Sequence, residues 1–512
     1  MALSASEPFR AEPEVRAPVG AVRGRREAGV AVFRGIPYAE PPVGALRFAA
    51  PRRPVSGWDG VRDAASYGPP PPQGGALGMG ALARDTVGDD WLTLNIWTPD
   101  PGPDAGLPVM VWIHGGAYTV GMSGLPEYDG GRLAREGVVV VTFNYRVGLE
   151  GFGQIEGAPA NRGLLDQVAA LEWVRENIRA FGGHPDRVTV FGQSAGGGSV
   201  AALLAMDRAA GLFRRAVAQS VQGTFFSPEL AADITATCAA ELALRPTRAE
   251  LAAVAPARLS AAGDVVGAKM TQWAHRWGQV AHRSIAFSPV VDGEVLPATP
   301  WQALADHALP GVDLLVGHTR DEQRLLTALD GLLGQVTQDQ AAAALRVFAP
   351  GSEGEDRYRR GFPAAGPDEL HEVVLSDWLF RMPTLKLADA WAAAGGRAHL
   401  YELTWPAPGM GGVLGACHGL DVPLVFGHLD RGQPAALFGE RPSPEAEALS
   451  GRMRRAWTAF ATHGDPGWPA YDPHARLTQL FDTTPTVTRY PEEASRLIWQ
   501  DHAFCAVPLL DT

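Results

Sequence analysis

The sequence predicts an α/β protein with a large, mostly parallel central sheet flanked by helices. Three observations predict it. First, Val109-Met110-Val111-Trp112-Ile113 and Val138 to Phe143 are apolar runs, the second broken only by Thr142, bounded by glycine, as expected of strands buried on both faces of a parallel sheet. Second, Leu164 to Phe181 carries Leu164, Leu165, Val168, Leu171, Val174 and Ile178 at helical spacing. Third, a short buried strand, Arg187-Val188-Thr189-Val190, runs into a glycine-flanked turn, and the small-residue stretch Gly196 to Met206 then reads as a helix. Strand and helix alternate, which is the pattern of a parallel sheet with crossover helices.

The other elements follow in chain order. Residues 1–15 read as a polar tail. Val19 to Arg34 alternates and breaks at glycine, as a hairpin does. Gly68 to Gly80 is rich in proline and glycine and reads as an irregular loop, and Leu92 to Trp97 alternates like a half-buried strand. Val312 to Val316 and His399 to Leu403 read as later strands. Arg359 to Leu385 and several alanine-rich stretches read as helices covering one end of the sheet. No internal repeat is visible. One domain is expected over 16–512, with insertions at about 68–85, 222–285 and 325–395 covering the functional site.

Bulk properties exclude several classes. The composition, 46% hydrophobic and 20% charged, is that of an ordinary globular protein, and a formal net charge of −12 argues against nucleic acid as a partner. The same balance offers no basic patch for an anionic membrane, and no stretch approaches the length of a spanning helix. Three cysteines, Cys238, Cys417 and Cys505, lie far apart without a C-x-x-C, so neither a disulfide framework nor a thiolate metal site is expected. Met1 to Gly20 has no apolar signal segment, and a cytoplasmic protein, monomeric or weakly homo-oligomeric, is the expectation.

Chemistry concentrates in Gly192-Gln193-Ser194-Ala195-Gly196. A sharp strand-to-helix turn forces its central serine into strained backbone geometry, and only small neighbours fit beside it. The Ser194 hydroxyl is then exposed at a helix N-terminus, where developing negative charge is stabilised. A serine hydroxyl is a weak nucleophile at neutral pH. It needs a neutral histidine to take its proton and an acid to orient that histidine. Among thirteen histidines, His418 stands in the small-residue loop Gly415-Ala416-Cys417-His418-Gly419. Asp321 and Glu322, after the strand Val312 to Val316, are the acids in reach of such a role, and spacing alone also fits a solvated acidic pair. His275, His282, His371 and His428 read as surface or packing residues.

With these residues in place, the chain resembles the type-B carboxylesterase family of the α/β-hydrolase fold, and among its members the bacterial para-nitrobenzyl-esterase type. The resemblance runs from about Val19 to the C-terminal region. It is carried, in order, by Phe33 to Ala39, Pro41 to Gly44, Leu46-Arg47-Phe48, Leu94 to Pro99, Trp112 to Ala117, Asn144-Tyr145-Arg146, Asn161 to Gln167, the Ser194 turn, Thr319 to Glu322, Ala416 to Gly419, Trp457 to Phe460 and Gly464-Asp465-Pro466. It implies a serine carboxylesterase acting on small-molecule esters, without cofactor or metal. It assigns Ser194 as nucleophile, His418 as general base and acid, and Glu322 rather than Asp321 as the orienting acid. It further implies an oxyanion hole formed by the backbone amides of Gly116, Ala117 and Ala195.

The chain departs from the family pattern at several points. Gln193 stands where the family usually has glutamate, Trp91 replaces the family's early disulfide cysteine, and Gln323 replaces the glycine after the acid. Without that disulfide the loop Gly68 to Arg84 is expected to be mobile, and Trp91 alternatively packs over the sheet edge. Ser220 and Asp421, with Gln193, are expected to support the site from behind. Tyr118, Phe225, Phe226, Met270, Trp273, Trp277, Trp378 and Leu379 lie in segments that the resemblance places around the substrate gorge. Tryptophans at helical spacing, as at Trp273 and Trp277, equally suit packing. An amidase, or a carbamate or natural-product-detoxifying hydrolase, would use the same residues. A non-catalytic binding module of the same fold would typically have lost the nucleophile that this chain retains.

Overall fold

The computed structural model describes residues 12–54, 57–76, 88–306 and 311–511. The strands are β1 (Glu14–Ala17), β2 (Gly20–Arg23), β3 (Arg25–Glu27), β4 (Val30–Pro37), β5 (Val61–Asp63), β6 (Thr93–Thr98), β7 (Leu107–Ile113), β8 (Val139–Phe143), β9 (Gly183–Gln193), β10 (Arg215–Gln219), β11 (Asp313–Thr319), β12 (Ala398–Leu403), β13 (Leu477–Phe481) and β14 (Thr486–Arg489). Among the described residues, eleven of them form one sheet in the order β3-β4-β6-β8-β7-β9-β10-β11-β12-β13-β14. The run from β8 to β13 is parallel throughout, and antiparallel pairs close both edges. A small second sheet holds β1, β2 and β5.

The apolar runs are explained by burial on both faces. Along β7, Val109, Val111 and Ile113 enter one core, while Met110 and Trp112 enter the other. Strand β8 divides in the same way, with Val139, Val141 and Phe143 on the first face and Val140 on the second. The first core is covered by the helices Arg162–Asn177 and Ala195–Leu204. The second is covered by the helix Pro444–His463, through Leu449, Met453, Trp457 and Phe460. Trp112 joins Phe191 and Phe426 there at ring distances of 4.8 and 5.1 Å.

Two of the sequence motifs serve the scaffold. Arg146 and Asp166 form a fully buried ion pair at 2.7 Å. Asp166 also accepts from the Arg146 backbone N–H at 3.0 Å, and Arg146 Nη1 reaches the Ala49 carbonyl at 2.8 Å. With these bonds made, breaking the pair from either side leaves a buried charge uncompensated. Asn161 exchanges two hydrogen bonds of 2.7 Å with the backbone of Val290, tying the helix start to a distant loop.

The structure revises several expectations. Glu14 and Val15, assigned to the polar tail, already belong to β1, with Glu14 opposite Arg23 and Val15 buried; residues 1–11 lie outside the described set. Val19 to Arg34 supplies strands of two antiparallel pairs, β1–β2 and β3–β4. They separate at Gly24, where a side chain would collide with the Val32 carbonyl. The helical stretch Arg359 to Leu385 breaks after Gly361, resumes as Pro367–Ser376, and passes through a π-turn, Asp377–Arg381, before Met382–Ala393. Trp91 is buried and its indole N–H donates to the Gly88 carbonyl at 2.9 Å. Residues 77–87 lie outside the described set, and with them much of the loop expected to be mobile. Its described part is tied down: the Gln73 side chain exchanges bonds of 3.0 and 2.9 Å with the backbone of Gly121. No helix among the described residues is long and apolar enough to cross a membrane, and Cys238, Cys417 and Cys505 are free thiols.

Candidate active site

Ser194 sits between the end of β9 and the helix Ala195–Leu204, with φ 61° and ψ −123°. Such geometry costs a non-glycine residue about 1–3 kcal/mol and persists only when the surroundings impose it. Here they do. The Ser194 N–H donates to the Gln219 carbonyl on neighbouring β10 at 3.0 Å, and the Ser194 carbonyl accepts from Gly198 N–H at 2.8 Å. A Cβ at Gly192 would lie 2.5 Å from the Gly196 carbonyl oxygen, and one at Gly196 would collide with that of Ile113. The turn therefore admits only glycine on either side. Ser194 keeps 9% of its surface exposed.

The loop after β7 lies against this turn. A Cβ at Gly115 would be 3.2 Å from Ser194 Cβ. Gly116, Ala117 and Tyr118 have φ of 117°, 52° and 57°, which turns successive amides out of the usual register. Among the described residues, the N–H groups of Gly116, Ala117 and Ala195 donate to no protein acceptor. Ala195 is the first residue of its helix, where N–H groups lack intrahelical partners and favour an anion. His114 braces the loop from behind. Its ring stacks on Tyr145 at 4.3 Å, Tyr145 Oη donates to the His114 carbonyl at 2.7 Å, and burial lowers the imidazole to about 4, so it stays neutral.

Glu322 and His418 meet beside the serine. Glu322 is fully buried at the start of the helix that follows β11. Its Oε2 lies 2.5 Å from His418 Nδ1, and its Oε1 accepts from Ser220 Oγ at 2.6 Å and Thr319 N–H at 2.9 Å. Burial alone would raise this carboxyl, but the charge and hydrogen bond of His418 and the hydroxyl of Ser220 outweigh it and hold it below the usual range. Asp321, the other candidate acid, points elsewhere: it accepts from Ala416 N–H at 2.8 Å and pairs with Arg320 and Arg324 at 3.2 and 3.3 Å. Asp321 thus ties the turn bearing Glu322 to the loop bearing His418. Gln323 is buried, accepts from Arg283 at 3.2 Å, and leaves the Glu322–His418 contact uncrowded.

Of the expected supporting residues, Ser220 touches Glu322 and Gln193 touches His418, its amide nitrogen lying 3.1 Å from Nε2. Asp421 does not hydrogen-bond to His418. It accepts from Gln219 Nε2 and Tyr401 Oη, each at 2.8 Å.

Sequence reading did not identify Gln219 or Phe380. Gln219 holds the Ser194 N–H through its backbone and Asp421 through its side chain. Phe380, in the π-turn, stacks on the His418 ring at 4.2 Å. The π-turn itself is a known marker of functional segments, but nothing in its sequence separates it from the helices around it.

The expected gorge residues divide. Trp378 and Leu379 flank Phe380 in the π-turn; Trp378 donates to Gln279 at 2.9 Å, and the Leu379 carbonyl accepts from Gly223 at 2.8 Å. Tyr118 continues the loop after β7, fully buried, with its ring 4.7 Å from Phe152. Phe225, Phe226 and Met270 are packed into the first core. Trp277 is anchored to Asp233 at 2.7 Å and lies 4.7 Å from the half-buried Trp273. Both tryptophans make packing contacts with the first core.

Known proteins resemble this chain over most of its length. The carboxylesterase family matches residues 11–496. The para-nitrobenzyl esterase of Bacillus subtilis (strain 168) is 37% identical over 93% of this chain and 96% of its own length. The phenmedipham hydrolase of Pseudarthrobacter oxydans is 35% identical over 90% of this chain and 93% of its own length. Among solved structures, the Geobacillus stearothermophilus carboxylesterase superposes with a TM-score of 0.83 at 35% identity, covering 95% of this chain and all of that one. This chain belongs to the carboxylesterase family, has the α/β-hydrolase fold, and is a carboxylic ester hydrolase.

Proposed function

We propose that the protein hydrolyses small, uncharged carboxylic esters through an acyl-enzyme on Ser194. The observation that carries the reading is the assembly, from four distant segments, of a strained serine, free backbone N–H groups, and a histidine held by a buried carboxylate. In the reaction Ser194 Oγ attacks the acyl carbon while His418 Nε2 takes its proton. Glu322 keeps Nδ1 protonated and stabilises the imidazolium that forms. The N–H groups of Gly116, Ala117 and Ala195 receive the oxyanion. His418 then protonates the leaving alcohol, and water repeats the sequence on the acyl-enzyme.

The Phe380 ring against His418, with Leu379 next to it in the π-turn, supports an aryl, benzyl or short-to-medium acyl preference. The slight exposure of Ser194 supports a small substrate. The relative named phenmedipham hydrolase supports testing carbamates on the same residues. The exposed free thiol of Cys505 supports a reducing, cytoplasmic setting, and a monomer or weak homo-oligomer suffices because one chain supplies the whole constellation.

The test is hydrolysis of para-nitrophenyl esters of increasing acyl length by wild type and Ser194→Ala. The expected result is a loss of about 10⁴-fold or more in kcat in the variant, with rates in the wild type falling as the acyl chain lengthens. Unchanged turnover in folded Ser194→Ala would refute the assignment.

A further inference from the structure

Next to the π-turn that carries Phe380 lies a buried group of charges that the acyl-enzyme chemistry does not use. Glu402, on β12, is fully buried, and neither of its carboxyl oxygens has a hydrogen-bond partner among the described residues. An ionised carboxylate there would carry a large desolvation cost with nothing to offset it. The donors around it are already committed. His318 stands opposite Glu402 in the β11–β12 register. Its Nδ1 lies 2.9 Å from the Thr319 carbonyl, so Nδ1 carries the ring proton, and its Nε2 accepts from Tyr490 Oη at 3.0 Å. Burial lowers that imidazole to about 4, so it stays neutral.

The cations are committed too. Arg320 pairs with Asp321 at 3.2 Å. Arg381, the last residue of the π-turn, pairs with Asp377 at 2.7 Å and with Glu492 at 3.4 Å. It also donates to the Arg320 carbonyl and to Ser495 Oγ, each at 3.2 Å. Asp377 in turn accepts from Tyr358 Oη at 2.7 Å. The group that Glu402 itself meets is another acid, Glu492, two residues beyond Tyr490. Two carboxyls side by side bond only if one of them holds a proton.

We propose that Glu402 holds a proton and shares it with Glu492, and that this carboxylic acid–carboxylate bridge makes Glu402 a positioning residue for the π-turn beside His418. The bridge acts through Arg381. With the proton in place, Glu492 keeps its charge for the guanidinium, and Arg381 holds the turn from which Phe380 stacks on His418 at 4.2 Å. The same guanidinium holds the Arg320 carbonyl, two residues before Glu322. When Glu402 ionises, its proton leaves to solvent past Glu492, whose side chain is 19% exposed. Two like charges then repel, Glu492 turns outward, and Arg381 loses an anchor. Burial, together with the charge and hydrogen bond of Glu492, outweighs the pull of Arg381 and Arg320 and raises the Glu402 carboxyl well above the ordinary range. An acid raised in this way contributes its stability below the ordinary carboxylate range and loses it as pH rises through the folded value. The bridge is therefore intact at neutral pH and fails in alkali.

The experiment uses the full chain with Glu402→Gln, Glu402→Leu and Glu492→Gln. The first readout is the infrared difference spectrum at pH 7, wild type minus Glu402→Gln. The subtraction separates Glu402 from Glu372 and Asp421, whose carboxyls burial also raises. The expected result is a protonated-carboxyl C=O band. In Glu492→Gln, read against the double variant, that band titrates away at lower pH, because the like charge is gone. The second readout is kcat and KM for para-nitrophenyl butyrate at pH 7, which rests on the acyl-enzyme reading above. Glu402→Leu removes the bridge but keeps apolar bulk, so kcat falls about two- to tenfold with KM nearly unchanged, whereas Glu402→Gln, which donates as the acid does, keeps kcat near the wild-type value. No carboxyl band in the difference spectrum, a band that titrates alike with and without Glu492, or a Glu402→Leu enzyme with wild-type kcat would each overturn the proposal. Failure of the acyl-enzyme reading is a different result: Ser194→Ala would then retain turnover while the carboxyl band stayed in place.

Discussion

Glu322→Gln tests the chemistry while changing almost no volume. The carboxylate accepts three hydrogen bonds, from His418 Nδ1 on one oxygen and from Ser220 Oγ and Thr319 N–H on the other. An amide must turn its NH2 toward one of these sides. Toward Ser220 and Thr319 it meets a hydroxyl that can rotate to accept and a backbone N–H that cannot. Leaving that buried N–H opposite another donor costs about 1–3 kcal/mol. Toward His418 the conflict is relieved if the imidazole moves its proton to Nε2 and accepts at Nδ1. The second placement therefore wins, and it puts a proton on the very nitrogen that must receive one from Ser194. The predicted loss in kcat is about 10⁴-fold, the size expected for a histidine held in the wrong tautomer. KM and the melting temperature should change little. Initial rates on para-nitrophenyl butyrate, with circular-dichroism melts of both proteins, check this. A Glu322→Gln enzyme within tenfold of wild-type kcat would show that Glu322 does not set the tautomer of His418.

Other predictions follow from the same contacts. Phe380→Leu removes the ring stacked on His418 while keeping apolar bulk; kcat should fall about tenfold or less, since the orienting bond to Glu322 remains, and an unchanged kcat would show that the stacking is mere packing. Asp321→Ala frees Ala416 N–H and loosens the loop that carries His418. A misplacement of that kind lowers kcat by about ten- to a hundredfold with a smaller change in KM, and the opposite split would contradict the clamp. His114 and His318 are both held at about 4 by burial, against weaker support from backbone hydrogen bonds. Their folded values lie below the unfolded one, so the stability they contribute is present above about pH 6.5 and is lost as pH falls toward 4. Melting temperatures should therefore drop across that window, and a flat profile would contradict it. Glu372 behaves with the opposite sign. Burial, with Asp321 nearby, raises its carboxyl to about 7, so its contribution is complete below the ordinary carboxylate range and fades as pH rises through about 7. Glu372→Gln, which preserves the acceptor for Gln323 and Ser376, should raise the melting temperature more at pH 8 than at pH 5.

What was legible in the sequence follows from local physics. Strands β7 and β8 stand out because both faces are buried, so that nearly every position is apolar; the one hydroxyl, of Thr142, donates to the Ser123 carbonyl at 3.0 Å. The Ser194 turn stands out because its backbone leaves room only for glycine on either side. Strand β10 escaped notice because it has five residues and begins and ends on polar ones, Arg215 and Gln219. Edge strand β14 is mostly exposed and polar, so no periodicity marks it. The supporting residues were legible only in part. Gln193 adjoins the Ser194 motif in the chain, whereas Ser220 reaches Glu322 across 102 residues, Gln219 reaches Asp421 across 202, and Phe380 reaches His418 through a π-turn. Family resemblance alone separates Glu322 from Asp321 in the sequence, whereas in the fold the two carboxylates have different partners. One carboxylate is buried against the imidazole, and its neighbour is spent on Ala416 and two arginines.

If Ser194 carries the acyl group, it is also the residue that an organophosphate labels. This is read from the intact mass of the protein after stoichiometric diethyl para-nitrophenyl phosphate, followed by peptide mapping of the adduct. The expected result is one diethylphosphoryl group per chain, located on Ser194, with esterase activity lost in proportion to labelling. Stoichiometric inactivation with the adduct on another residue, or full activity in a chain labelled at Ser194, would contradict it.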